Sequence, residues 1–220
     1  IATTDYYVPD GYGFYSATEK NTYLWQPKIF EDKGPNVDWQ QCYKQVFYAN
    51  TIIHALPALK DEGIPAERNR IEGSAYFIRA HAFYQLAQLF CKQYDSASAP
   101  GELGIPLRLD PNPDIPSTRS TLQQTYDRII SDLREACKLL PEAVDPLRKN
   151  RPSRAAAYGL LARLYLIAGD YVQATNYADS CLQIHSALID YNDLVPRILP
   201  PFSPNSAEVE SPQSGFLPHR

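Results

Sequence analysis

The sequence predicts an all-α protein made of antiparallel helical hairpins that are joined by long irregular loops. Two observations predict this class. Between residues 36 and 186, apolar side chains recur every three or four positions over five stretches, which is the period of a helix face. Prolines and most glycines stand outside these stretches, so the segments between them are expected to be loops.

Composition excludes several classes of protein. The 220 residues include 21 Lys and Arg against 25 Asp and Glu, and this net charge of −4 argues against a nucleic-acid binder. No window approaches the roughly 18 uncharged apolar residues of a membrane-spanning helix. The four cysteines and four histidines show no CxxC, HExxH or zinc spacing, so we expect no metal or cofactor. Buried free thiols are favoured for the cysteines, and one disulfide stays open.

Residues 1–35 are predicted to be an irregular, aromatic-rich segment. Tyrosine is twice as common as phenylalanine in the chain, 16 against 8, and seven aromatic residues fall within residues 6–25. No period of 3.6 or 2 residues persists among them. We therefore expect a long loop here, and short strands stay open.

The first helix is predicted from Val37 to Leu56, because its apolar residues share one face and Pro57 follows directly. Asn50 falls on this apolar face. A buried amide must be hydrogen-bonded, so we expect Asn50 to hold a neighbouring backbone segment. The face consists of Trp39, Tyr43, Val46, Asn50 and Ile53.

The second helix is predicted from Ala66 to Tyr94, and Pro65 is suited to its first turn. It is apolar enough to be buried on more than one side. Its expected core stripe is Ile71, Ala75, Ile78, Ala82, Leu86 and Leu89.

Residues 95–119 are predicted to form a long loop. Five prolines in this segment exclude a helix and a central strand. Loops of this length are uncommon in compact domains unless they serve a function.

The third helix is predicted to begin near Ser120 and to stop before Pro141. Ser120 and Gln123 have the spacing of a capping box, in which the two side chains bind each other's backbone amides. Residues 187–220 contain six prolines and are predicted to be an irregular tail, the start of a truncated second half. The helical domain is therefore expected to span residues 36–186.

The fourth and fifth helices match a tetratricopeptide-type hairpin. Ser153 is the expected N-cap of the fourth helix. Gly169 suits a left-handed C-terminal position, and Asp170 can cap the fifth helix. Tyr171 is expected to pack back into the pair. The other helices should stack as further hairpins in an α–α superhelix, because one repeat cannot bury its faces. The pattern is Gly159-x5-Tyr165-x3-Gly169-Asp170-Tyr171-x2-Ala174.

Five stretches in a fixed order carry a family resemblance. They are Trp39-x3-Tyr43-x6-Asn50, residues 72–80, residues 104–107, residues 151–166, and Asp170-Tyr171-x2-Ala174 followed by Tyr191-x2-Leu194. With these stretches the chain resembles the SusD/RagB family of outer-membrane nutrient-binding lipoproteins. The resemblance implies tetratricopeptide-like helix pairs that support an irregular second half.

The resemblance also implies binding rather than catalysis. Such proteins lie at the outer cell surface over a TonB-dependent outer-membrane transporter. They capture glycans, or sometimes peptides, and close over the transporter as a lid. The tetratricopeptide-like face is the expected contact with the transporter.

The chain departs from the family pattern in its length and its N-terminus. Family members are considerably longer, and the lipidated cysteine expected at a mature N-terminus is missing. The sequence also contains no Met. We therefore expect an internal fragment or a truncated chain, which would reach the membrane only through a lipid anchor that this sequence lacks.

The aromatic residues before the first helix are the candidate glycan site. Sugar rings have apolar C–H faces that stack on tyrosine and tryptophan, while their hydroxyls need polar partners. In the family, the corresponding segment often contributes to the glycan platform. The alternative is that these rings pack on the helices as structural cover. The candidate residues are Tyr6, Tyr7, Tyr12, Tyr15, Asn21, Tyr23 and Trp25.

Two other functions are weighed against glycan binding. A glycoside hydrolase needs two carboxylates at a defined separation, and nothing in the sequence marks such a pair, so we expect no enzyme. A tetratricopeptide scaffold for peptides or protein partners needs at least three stacked repeats and an often basic groove. This scaffold stays the alternative, although only one repeat matches the tetratricopeptide pattern closely and the proline-rich loop interrupts regular stacking.

Overall fold

The computed structural model describes residues 17–30, 36–59, 63–142, 150–188, 190 and 192. These residues contain six α-helices and one small sheet, which confirms the predicted all-α class. The described helices include none that is both long enough and apolar enough to cross a membrane. In chain order the elements are α1 Ala17–Tyr23, α2 Val37–Ala55, a 3-10 turn Leu56–Leu59, α3 Pro65–Phe90, β1 Leu103–Pro106, β2 Arg119–Thr121, α4 Leu122–Leu139, α5 Arg154–Ile167 and α6 Tyr171–Ile184.

The chain divides into two compact units, residues 1–41 and residues 42–220. In the first unit, α1 has no buried residue. The sequence predicts no helix before residue 36, and this prediction is wrong for Ala17–Tyr23. A sequence shows apolar residues at three- and four-residue spacing only where one face of the helix is buried. α1 has no buried face and is held by local hydrogen bonds instead. In one of them, the Thr22 hydroxyl donates to the Thr18 carbonyl at 2.7 Å.

The second predicted helix ends earlier than expected. α3 stops at Phe90, because Cys91 has an extended backbone with φ −113° and ψ 165°. Tyr94 therefore lies outside the helix, and its ring centroid is 4.4 Å from that of Tyr126 on α4. The aromatic ring at position 94 thus packs on α4 from outside α3 rather than extending the helix.

Only half of the predicted core stripe of α3 is buried. Ala75, Ala82 and Leu86 are buried, whereas Ile71, Ile78 and Leu89 are each more than one-third exposed. The buried face also includes Arg79 and Phe83. α3 packs chiefly against α4, and this partner decides which side of an all-round apolar helix becomes the core.

α3 and α4 are antiparallel neighbours in close contact. At Gly73, near the start of α3, an added β-carbon would lie 2.9 Å from Cβ of Leu139 at the end of α4. The opposite ends meet through the rings of Tyr94 and Tyr126. A side chain at position 73 would push the two helices apart.

α5 and α6 form the predicted hairpin. The Ser153 hydroxyl accepts the Ala156 amide at 3.0 Å and caps α5. Gly169 has a φ of +77°, and the Asp170 carboxylate caps α6 by accepting the Gln173 amide at 3.1 Å. These three local predictions are confirmed.

The packing predicted for Tyr171 is wrong, because its side chain is 68% exposed. The tyrosine of α6 that packs against α5 is Tyr177, whose ring stacks on Tyr165. Tyr171 occupies the first position of α6, and its side chain stays largely exposed there.

The proline-rich loop contains a short antiparallel ribbon of β1 and β2, which the sequence did not predict. Pro106 stands at the end of β1, at the edge of a two-stranded sheet, where a missing N–H is tolerated. At Gly104 an added β-carbon would lie 2.2 Å from the Thr125 hydroxyl and 2.4 Å from the Thr121 carbonyl. Glycine is therefore required where the ribbon meets α4.

The capping box of α4 lies one residue later than predicted. Thr121, not Ser120, accepts the Gln124 amide at 3.1 Å, and the Gln124 side chain accepts the Thr121 amide at 3.0 Å. The Ser120 hydroxyl instead donates to the Ile105 carbonyl of β1 at 2.8 Å. Pairing of the ribbon therefore decides which of two adjacent hydroxyls caps the helix.

The four cysteines all lie among the described residues and are thiols outside any disulfide; Cys42 is buried and the others are half-buried. Most of the predicted tail at residues 187–220 lies outside the described residues.

Candidate functional site

Three of the seven predicted glycan-binding residues lie in the described part of the chain. Asn21 and Tyr23 belong to α1, and Trp25 follows its C-terminal end. The other four, Tyr6, Tyr7, Tyr12 and Tyr15, lie outside the described residues.

The C-terminal end of α1 is closed by a specific set of backbone hydrogen bonds. The Gln26 amide donates to the Asn21 carbonyl at 2.9 Å, and the Trp25 amide donates to the Thr22 carbonyl at 3.2 Å. This pair of bonds is the Schellman arrangement, which needs a left-handed residue just after the helix. Trp25 occupies that position with a φ of 52°.

Trp25 is the one described residue other than glycine with a positive φ. This conformation costs a residue with a β-carbon about 1–2 kcal/mol, and glycine would adopt it freely. The indole is nevertheless 69% exposed. Burial of the ring within its own unit therefore does not offset the free-energy cost of this backbone conformation. A large ring held outward at a strained backbone position is a candidate for ligand contact.

The other two residues have different surroundings. Asn21 donates its side-chain amide to the Ile29 carbonyl at 3.3 Å, so it closes the loop after α1. Tyr23 is half-buried. The three residues thus lie close together in the sequence, at the end of α1 and in the turn after it. Trp25 is the exposed aromatic residue among them.

A second candidate region lies between α4, α5 and α6, where sequence reasoning placed no site. A cavity of about 790 Å3 opens there. We call it the tyrosine groove after Tyr158, Tyr165 and Tyr177, which line it together with Arg134. The available sequence signal was the spacing of Tyr158 and Tyr165, seven residues apart on α5, of which only Tyr165 belongs to the predicted repeat pattern.

The aromatic rings of the tyrosine groove are ordered. The rings of Tyr165 and Tyr177 are nearly parallel, with 5.5 Å between centroids and 5° between planes. The Tyr158 ring lies 6.0 Å from that of Tyr177. Arg134 donates to the Tyr165 hydroxyl at 2.7 Å. The guanidinium therefore spans from α4 to α5 and holds the groove's rings in place.

Three ionisable groups of the groove, Tyr158, Tyr165 and Arg134, have a raised pKa. Burial raises the pKa of Tyr158 and of Tyr165, so both hydroxyls stay protonated and can donate. A hydrogen bond to Tyr177 raises the pKa of Arg134, which stays charged. The groove therefore offers tyrosine hydroxyl groups and the Arg134 guanidinium to a ligand.

A smaller cavity of about 370 Å3 lies within the loop of residues 107–120. Side chains of α2 hold this loop: Tyr43 donates to the Pro106 carbonyl at 2.8 Å, and Asn50 donates to the Arg108 carbonyl at 3.0 Å. The prediction that Asn50 holds a neighbouring backbone is thus confirmed. Arg108 donates to the Pro113 carbonyl at 2.9 Å and closes the loop on itself.

Metal-ligating side chains do not gather in the part of the chain that the structure describes. There, no group of three or more His, Cys, Asp or Glu could hold a metal ion. His81, for example, stacks on Phe77 with 6.1 Å between ring centroids, which makes it a packing residue.

Comparison with known proteins gives a consistent result. A SusD-like family model, described as starch-binding and associating with the outer membrane, matches residues 3–166. SusD-like protein P2 of Formosa agariphila is 29% identical over 142 residues, which cover 64% of this chain and 25% of that protein.

Solved structures show the same relationship. A SusD superfamily protein of Bacteroides fragilis superposes with a TM-score of 0.69 and 25% identity, covering 84% of this chain and 42% of that one. A SusD-like carbohydrate binding protein of Bacteroides vulgatus gives a TM-score of 0.61 and 25% identity, covering 72% and 33%. This chain thus spans a quarter of the curated relative and less than half of either solved chain.

Proposed function

Since the chain belongs to the SusD-like family of starch-binding proteins that associate with the outer membrane, we propose that it binds glycans at the cell surface. In this proposal the chain serves nutrient uptake and carries out no chemistry on the sugar. The family description supports the ligand class and the location, and the exposed ring of Trp25 supports the place of binding.

The single observation that carries the proposal is the state of Trp25. Its indole is 69% exposed and its backbone is left-handed, although glycine would suit the turn better. An indole face can stack on the apolar C–H face of a sugar, and its N–H can bind a hydroxyl. Tyr23 and Asn21 on the same turn, with Tyr6, Tyr7, Tyr12 and Tyr15, complete the proposed binding segment.

The proposal extends to a partner. Captured glycan would pass to a TonB-dependent outer-membrane transporter, and the tetratricopeptide-like helices would contact that transporter. The stacked α3–α4 and α5–α6 pairs give a continuous helical surface of the kind that binds protein partners. A lipid anchor would hold the full protein at the membrane.

Native affinity electrophoresis against soluble polysaccharides tests glycan binding. We expect at least one neutral glucan to retard the wild-type chain. Trp25→Gly should weaken this retardation, because it removes the ring while keeping the turn. Trp25→Phe should keep part of it, and Leu24→Ala, a change at the neighbouring exposed residue, should keep all of it.

Two results would contradict the proposed site or function. Full retardation of Trp25→Gly would remove Trp25 from the binding surface. Binding of peptides by a chain that no polysaccharide retards would favour the scaffold alternative instead.

A further inference from the structure

We propose that the tyrosine groove is a second binding site, and that its ligand is a neutral oligosaccharide. The class of ligand rests on the proposed function, whereas the location of the site rests on the cavity and its lining residues. The groove lies wholly within the unit of residues 42–220, and Trp25 belongs to the other unit. Its volume of about 790 Å3 falls in the range of small-molecule sites, roughly 300–1,000 Å3.

The first argument is the combination of aromatic and hydroxyl groups. Three tyrosines from two helices line one concave surface, where the Tyr177 ring stacks on Tyr165 and lies tilted by 38° beside Tyr158. Tyrosine rings provide apolar faces for sugar C–H groups and hydroxyls for sugar oxygens. The three rings pack between α5 and α6 and also border the open cavity.

The second argument is the state of Arg134. Its guanidinium binds a tyrosine hydroxyl, and none of the described carboxylates lies within ion-pair distance of it. Arginine carries five N–H donors, so donors remain for a ligand beside the bonds to Tyr165 and Tyr177. A sugar hydroxyl is an acceptor that this arrangement can bind without displacing any ion pair.

The third argument is the balance of charge, which separates a sugar from an acidic peptide. Two basic side chains, Arg134 and Lys138, and two acidic ones, Asp127 and Glu135, line the groove. Lys138 and Glu135 pair with each other at 2.7 Å. The formal charges cancel, so the groove lacks the basic excess that would attract an acidic peptide tail. A neutral ligand with many hydroxyls fits this mixture.

NMR spectroscopy of the 15N-labelled chain tests the inference directly. Maltohexaose and laminarihexaose are titrated separately, and amide shifts are followed along α4, α5 and α6. We expect saturable shifts in these helices with at least one of the two sugars. Tyr177→Ala should remove the shifts. Tyr171→Ala, which changes an exposed tyrosine of the same helix outside the groove, should keep them.

Two further variants make the test specific. Tyr177→Phe keeps the ring and loses the hydroxyl, so affinity at the groove should fall roughly two- to tenfold with the fold intact. Trp25→Gly should leave the shifts in α4–α6 unchanged while it removes binding at residues 17–30. This variant therefore separates the two sites.

Clear results would overturn the inference. The inference fails if neither sugar shifts the amides of α4–α6. It also fails if the shifts persist in both Tyr177→Ala and Arg134→Ala. Shifts in α4–α6 caused by an acidic peptide and by neither sugar would assign the groove to a protein partner. If shifts occurred only around Trp25, the proposed function would stand and the second site would fall.

Discussion

Arg79 on α3 and Asp132 on α4 form a buried ion pair with two parallel contacts, from Nε to Oδ2 and from Nη2 to Oδ1, each 2.7 Å long. Both side chains are almost fully buried, at 3% and 0% exposure. Arg79 also donates to Oδ1 of Asn50 at 2.8 Å, which turns the amide group of Asn50 toward the Arg108 carbonyl. One chain of contacts thus links α4, α3, α2 and the proline-rich loop.

Removing the carboxylate of this pair should strongly destabilise the fold. Asp132→Ala leaves the Arg79 charge buried without its carboxylate, and such losses cost about 3–5 kcal/mol of unfolding free energy. Urea denaturation followed by circular dichroism measures the change. Glu135→Ala, which breaks the exposed pair with Lys138, is the control and should cost under about 1 kcal/mol. Similar losses in both variants would show that the buried pair has no special role.

Gly104 is expected to tolerate no side chain. In Gly104→Ala, the new β-carbon would meet the Thr125 hydroxyl and the Thr121 carbonyl well inside contact distance, so the ribbon must move away from α4. Overpacking of this kind costs about 1–3 kcal/mol. Gly101→Ala is the matched control, because its nearest neighbour would be 3.7 Å away. Thermal unfolding of both variants decides the point, and equal melting temperatures would refute the predicted contact.

Trp25→Gly should raise stability while it lowers glycan binding. Glycine adopts the left-handed backbone of this turn without strain, so we expect a gain of up to about 1 kcal/mol in unfolding free energy. Gly169→Ala makes the opposite change at φ +77° and should lose about the same amount. Chemical denaturation of the two variants checks the signs. A destabilised Trp25→Gly would mean that the indole packs within the fold.

His81 should make the fold less stable in mild acid. Burial lowers its pKa from the usual 6.5, and the nearby charge of Arg163 lowers it further. The unfolded chain therefore binds a proton at a higher pH than the folded chain does. Between pH 6.5 and the lower folded pKa, the unfolding free energy decreases as the pH falls.

The variant His81→Gln should flatten this dependence when unfolding is measured from pH 7.5 to pH 5. His54→Gln, which changes an exposed histidine of α2, is the control and should keep the wild-type slope. An unchanged slope in His81→Gln would assign the acid sensitivity to other groups.

Local features of the fold could be predicted because their cause lies within a few residues. Ser153, Gly169 and Asp170 act on the adjacent turn of backbone, so their types and positions were enough to place the ends of α5 and α6. The family resemblance was also readable, because its motifs are short and ordered along the chain. A buried amide needs a partner, and this made the role of Asn50 predictable, although not the identity of its partner.

Features that join distant segments needed the tertiary structure. Arg79 and Asp132 are 53 residues apart, and many acidic residues could have faced Arg79. The choice between Ser120 and Thr121 as the cap of α4 depended on pairing with β1. Local sequence cannot decide such cases, because several partners satisfy the same local chemistry and only packing selects one.

The candidate sites divide in the same way. The sequence by itself determined the helical class, the family and an aromatic segment suited to sugars. Only the tertiary structure showed that Trp25 is strained and exposed, and that Tyr158, Tyr165 and Tyr177 meet Arg134 around one cavity. The physical reason is that the sequence states which residues are aromatic. Whether an aromatic side chain is exposed, and whether several of them meet around one cavity, depends on how the backbone turns and which helices pack together.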